Sequence, residues 1–282
     1  MSRRHELQSR VAGLGEIEGI MVAMKNLALM ETLKLTRFLA IQQEAVATIE
    51  TVASDFMAHY GNASAHDQTV RNAYLVVGSE HGLCGDFNES IAQAVQERLP
   101  EADRPPVVAV GHRLAAKLED YPALAAVIGG PSVAEEVEAV LSAVISQFTL
   151  LERALPGGQL LGLVVIYHSS ETEDIKMRRL LPLPEPKPLA HHYSHAPLLT
   201  LAPDDFLAKL TDHYLYAALH EAFYSSLMVE NQQRLEHMDK AIRQLDKRVT
   251  ECALHINRLR QEEITEEIET IMLSLEALGM SE

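Results

Sequence analysis

A chain of 282 residues with 47% hydrophobic side chains is long enough for one large or two modest domains around a real core. Its 24 Lys and Arg stand against 40 Asp and Glu, a net charge of −16, which argues against nucleic acid or an anionic lipid surface as a partner. Two cysteines, Cys84 in a Gly-rich loop and Cys252 on an apolar seam, fit reduced thiols, and the lack of a signal segment or an 18-residue apolar run points to a cytoplasmic protein without direct lipid insertion.

From Arg3 to about Met57 no Pro occurs, and apolar residues recur at Leu7, Val11, Leu14, Ile17, Met21, Met24 and Leu27, then at Leu35, Phe38, Ile41, Ala45, Ile49 and Val52. This spacing predicts one helix of roughly 80 Å at 1.5 Å per residue. Gly13, Gly15 and Gly19 weaken its first third by on the order of 1 kcal/mol each relative to Ala, so that part depends on tertiary packing. The polar run Gly61-Asn-Ala-Ser-Ala-His-Asp67 ends it.

The pattern then changes. Ala73 to Val77, Val107 to Val110 and Leu161 to Tyr167 read as buried strands, separated by helices over Ile91 to Leu99, His112 to Glu119 and Val133 to Leu155. Alternating strand and helix predicts a small Rossmann-like α/β domain with parallel strands, to which Ile175 to Leu181 adds an antiparallel edge. Pro182, Pro184, Pro186 and Pro188 form an extended connector. Residues 208 to 280 read as a second helix, roughly 110 Å long. Its apolar positions Leu235, Met238, Ile242, Leu245, Val249, Cys252, Ile256 and Leu259 alternate three and four residues apart, a seam for a partner helix. Ile264, Ile268, Ile271, Leu275 and Leu278 resume that spacing after a slip of one. The expected architecture is an α/β chain. A long antiparallel coiled coil of N-terminal (1–60) and C-terminal (205–282) helices carries an inserted α/β domain (70–200).

No constellation of catalytic type survives its spacing. Three residues separate Gly78 from Gly82 and two separate Gly82 from Gly85, which is not G-x-G-x-x-G, and there is no G-x-x-x-x-G-K-[ST]. Ser79, Glu80 and His81 are the residue types of a hydrolase triad, but sequence neighbours point apart. His191, His192 and His195 sit in the Pro-rich connector with no carboxylate or Cys close by, so solvated histidines are expected rather than a metal site. From Gln261 onward there is no Lys or Arg, while Arg3, Arg4 and Arg10 open the other helix; an antiparallel pairing would bring these blocks together.

Three strings carry a resemblance. Ile20-Met-Val-Ala-Met-Lys25, the loop Gly82-Leu-Cys-Gly-Asp-Phe-Asn88, and Glu230-Asn231, Arg234, Met238 followed by Asn257-Arg258-Leu-Arg260-Gln261-Glu-Glu-Ile264-Thr265 resemble, in order and spacing, the γ subunit of F-type ATP synthases. The resemblance spans nearly the whole chain. Glu80-His81, Asp86 and Leu14-Gly-Glu-Ile17 depart from the commonest form and are similar to the divergent γ of the alternate, N-type F-type ATPases. It implies a non-catalytic rotor shaft without cofactor, coupling ion translocation in the membrane sector to ATP synthesis or hydrolysis in an α3β3 head. It also implies the partners: the α and β subunits, the ε subunit and the membrane c-ring, at the cytoplasmic face of a bacterial inner membrane. By position, Met24, Lys25, Arg234, Gln261 and Thr265 would contact surrounding subunits. Without the resemblance, the residues also fit a coiled-coil adaptor with an α/β recognition domain.

Overall fold

The computed structural model describes residues 3–60, 70–99, 105–156, 159–172, 174–183 and 195–277. Helix α1 runs over Arg3–Tyr60 and helix α5 over Pro203–Ala277, each unbroken. Between them come β1 (Val70–Val77), α2 (Phe87–Arg98), β2 (Val107–Val110), the short α3 (His112–Ala115), β3 (Leu124–Ile128), a 3-10 turn over Ala134–Glu136, α4 (Val137–Arg153), β4 (Leu160–His168) and β5 (Ile175–Leu181). The chain divides into two compact units, Met1–Leu27 with Leu235–Glu282, and Ala28–Arg234.

In the larger unit the five strands lie in the order β3-β2-β1-β4-β5, with β5 antiparallel to β4 and the other pairs parallel. β1, β2 and β4 are near-continuous apolar runs because both faces of the sheet are covered. Their alternate residues divide between two cores. Leu75, Val77, Val108, Val110, Val165 and Tyr167 meet α4 and the parts of α1 and α5 in this unit; Tyr74, Val76, Val107, Ala109 and Ile166 meet α2 and α3. α4 presents Val137, Leu141, Val144 and Phe148, one face of a 3.6-residue period.

Strand β3 is not evident from the sequence. Leu124-Ala-Ala-Val-Ile128 carries two alanines, poor strand formers, and is held by its pairing with β2. The helix expected to reach Glu119 stops at Ala115, beyond which the chain closes in tighter turns such as Lys117 N–H to Leu114 O and Tyr121 N–H to Leu118 O, ahead of Pro122.

In the smaller unit α1 and α5 are antiparallel, since Arg4 bonds Glu263 at 3.1 Å while Lys25 bonds Asp239. Leu235, Met238, Ile242, Leu245, Val249, Cys252, Ile256 and Leu259 are all half-buried or buried, as a seam requires. On α1 of this unit the seam takes Leu7, Val11, Leu14, Met21 and Met24 but not Ile17 or Leu27, which are 49% and 64% exposed. Farther along α1, in the larger unit, Leu39, Val46 and Phe56 are buried where periodicity singled out Phe38, Ile41 and Val52, all exposed. α1 carries apolar residues on more than one face, and contact with the sheet and α5 selects the face that the spacing leaves ambiguous.

Candidate functional site

The five residues placed by resemblance fall into different settings. In the smaller unit Met24 and Lys25 are half-buried, with Lys25 paired to Asp239, which Arg243 also holds from one turn along α5. Gln261 and Thr265 are exposed one turn apart, the Thr265 hydroxyl donating to the Gln261 carbonyl at 2.9 Å. Beyond them Ile264, Ile268, Ile271, Met272, Leu273 and Leu275 are 45–66% exposed, so this end of α5 shows water both apolar and acidic residues. Exposed apolar residues grouped in this way mark a surface for another chain.

Arg234, in the larger unit, is 8% exposed. It bonds the Glu230 carboxylate one turn back and donates to Asn231 Oδ1 at 3.1 Å, while Asn231 Nδ2 donates to the Leu227 carbonyl at 2.8 Å. Burial pushes Glu230 up to about 7, with Arg234 pulling it the other way.

The loop from Gly78 to Asn88 packs against this stretch of α5. Cys84 and Phe87, 3% and 0% exposed, form a small cluster with Val229. Asn88 ties the loop's two ends, accepting from the Ser79 N–H at 3.0 Å and donating to the Ser79 hydroxyl at 2.7 Å. The Phe87 ring stacks on His168 at 4.2 Å, and the Phe87 carbonyl accepts from the His168 ring at 2.9 Å. Gly85 has φ +63° and Leu83 φ +67°, so the loop turns through left-handed residues, and Leu83 holds that conformation at 46% exposure. Burial raises the Cys84 thiol, which keeps it protonated and unlike an activated nucleophile.

Glu80 sits across the ends of β1 and β2. Its carboxylate accepts from the Gly130 N–H at 2.7 Å, the His112 N–H at 3.2 Å and the His112 ring at 2.7 Å. Burial works against its charge, but the bonds from Gly130 and His112 outweigh it and hold the carboxyl below its ordinary range. A tethered anion thus occupies the His112 and Gly130 N–H groups, donors of the kind a phosphate uses. Gly111 permits this crossing, with φ +93° and a Cβ position only 2.4 Å from the Ser79 carbonyl. Ser79 and His81 do not form a triad with Glu80, since the Ser79 hydroxyl donates to the His81 carbonyl and the His81 ring meets Ser132 at 3.1 Å. His191 and His192 lie outside the described residues, and His195 is exposed; among the described residues no cluster could hold a metal ion.

One group is not evident from the sequence. Arg178 on β5 bonds Glu50 of α1 and Glu221 of α5, an arrangement with no local signature because its partners lie 128 and 43 residues away.

A family model described as ATP synthase matches residues 3–278. The chain is 25% identical over 284 residues to the ATP synthase gamma chain of Clostridium beijerinckii, covering 95% of each chain. It is 24% identical over 305 residues to that of Heliobacterium modesticaldum, covering 99% of this chain and all of the relative. Among solved structures, a chain of the Euglena gracilis mitochondrial ATP synthase rotor shares the fold with a TM-score of 0.59 at 13% identity, covering 93% of this chain and 98% of the other. A chain of the Tetrahymena thermophila mitochondrial ATP synthase central stalk and c-ring does so at 0.56 and 17%, covering 79% and 99%. The chain belongs to the ATP synthase family, and it is gamma chains of that family that it matches along nearly its whole length.

Proposed function

We propose that this chain is the central rotor-shaft subunit of a rotary F-type ATP synthase or ATPase, coupling ion translocation in the membrane sector to ATP synthesis or hydrolysis in an α3β3 head. The observation that carries the reading is the antiparallel helix pair with its own seam filled and a second apolar row, Ile264 to Leu275, left uncovered. A shaft turning inside a ring needs that combination: an internal seam that holds its two helices together and an outer surface that other subunits clothe.

The chain itself is non-catalytic. Glu80 fills the backbone donors at the strand ends, and Cys84 is a packed, protonated thiol. The ATP sites belong to the α and β subunits. Met24, Lys25, Gln261 and Thr265 are the contacts to that hexamer; Arg234, held by Glu230 and Asn231, reaches it only by the edge left exposed. The ε subunit and the c-ring meet the larger unit, and the chain is peripheral at the cytoplasmic face of a bacterial inner membrane. No helix among the described residues is long and apolar enough to cross the bilayer itself. The departures at Glu80, His81 and Asp86 support its assignment to the alternate, N-type branch.

Reconstitution tests the role. Adding the full chain to a complex depleted of γ should restore ATP-driven ion transport, and hydrolysis without transport after its addition would contradict the reading.

A further inference from the structure

The rotor reading requires load to pass between the sheet of the larger unit and the two helices that continue out of it, and the role assigned to Arg178 rests on that reading. Within this unit apolar contact holds α1 and α5 to one face of the sheet, through Leu35, Val46, Tyr214 and Phe223 among others. Such contact opposes separation, but it is non-directional and sets the angle between the elements only through side-chain packing. Bonds of fixed angle add resistance to sliding.

Arg178 supplies them from β5. Its Nη1 donates to Glu221 Oε2 of α5 at 2.7 Å, and its Nη2 donates to Glu50 Oε1 of α1 at 2.9 Å and to the Tyr214 hydroxyl of α5 at 3.3 Å. The Arg178, Glu50 and Glu221 side chains are 24%, 27% and 15% exposed, so water and salt screen this group less than a surface pair. The planar guanidinium fixes direction as well as distance, which a lysine ammonium does not. Within the larger unit, Lys34–Glu135 and Lys117–Glu89 also each join two elements, with a more exposed carboxylate in both, whereas Arg178 joins three.

We propose that Arg178 is a positioning residue for coupling, a brace that locks α1 and α5 to the sheet so that the three turn as one body under load. It touches no reacting atom. Its removal leaves unloaded turnover intact and lets the helices slip where the opposing force is greatest.

The test uses the complete membrane complex in liposomes. Unloaded hydrolysis is measured with ionophores collapsing the membrane potential, and the limiting potential sustained by ATP is then read with a voltage-sensitive dye. Arg178→Met should keep unloaded hydrolysis close to that of the unaltered complex while the limiting potential falls several-fold, and Arg178→Lys should restore part of it. Glu50→Gln and Glu221→Gln should each give intermediate losses. An unchanged limiting potential in Arg178→Met overturns the brace, as does a proportional loss of hydrolysis and potential, the mark of a merely structural role. If Arg178→Met does not assemble, the two acid variants decide: a lowered potential at unchanged unloaded hydrolysis supports the brace, and an unchanged potential in both overturns it. A complex assembled without this chain should show no ATP-driven potential; a potential that persists there overturns the rotor reading itself, and the brace with it.

Discussion

At the scale of single residues, the Glu230–Arg234 pair shows how a position marked by family resemblance acquires a physical role. The four-residue spacing on one helix is visible in the sequence; the burial that makes the pair expensive to break is not, because it comes from the packing of a distant loop around Cys84 and Phe87. Glu230→Gln keeps the shape of the protonated acid that burial favours, so it should leave the chain's stability near pH 5 almost unchanged in urea denaturation, and Glu230→Gln combined with Arg234→Met should remove the buried Arg234 charge as well. The pair also sets a pH dependence. Glu230 is raised from an ordinary 4.5 to about 7, so the folded chain holds a proton there that the unfolded chain releases. That contribution is fully present below pH 4.5, is lost as pH rises toward about 7 and is flat above it; urea midpoints across that window should show the slope, and the double variant should lose it. In the same loop Gly85 sits at φ +63° with room for a Cβ, so Gly85→Ala should cost about 1 kcal/mol from backbone conformation alone.

At the scale of elements, the periodicity of α5 is read correctly because one seam dominates it. Eight apolar positions from Leu235 to Leu259 turn inward in the smaller unit, and Met238 is wholly buried. Met238→Ala should destabilise the chain by about 3 kcal/mol by thermal or urea unfolding. Ile268, 54% exposed, should behave oppositely: Ile268→Ser should leave the chain's own melting temperature nearly unchanged while weakening its binding to an α/β hexamer in a pull-down titration. Helix α1 is harder to read, since Ile17, Leu27, Phe38, Ile41 and Val52 keep the helical spacing yet face outward. Spacing reports that a residue is apolar and on a helix, while the neighbouring elements decide which of two overlapping faces is covered. Strand β3 escapes a reading by propensity for the same reason, as its alanines are held by β2. The Arg178 cluster has no trace in local sequence because its partners come from α1, β5 and α5.

At the scale of the whole molecule, the alternating strands and the two long helices fix the architecture early, and the match over residues 3–278 assigns its family. The proposed role as a subunit without a catalytic site of its own rests on the occupation of strand-end donors by Glu80, together with the exposed apolar residues of α5. The most direct measurement adds the full chain to an α3β3 hexamer lacking γ and follows both binding and ATP hydrolysis against hexamer and chain alone. The chain by itself should hydrolyse no ATP, while its addition should form a stoichiometric complex with raised turnover that Ile268→Ser weakens. A chain that stays free in solution, or one that hydrolyses ATP unaided, would contradict its role as the shaft.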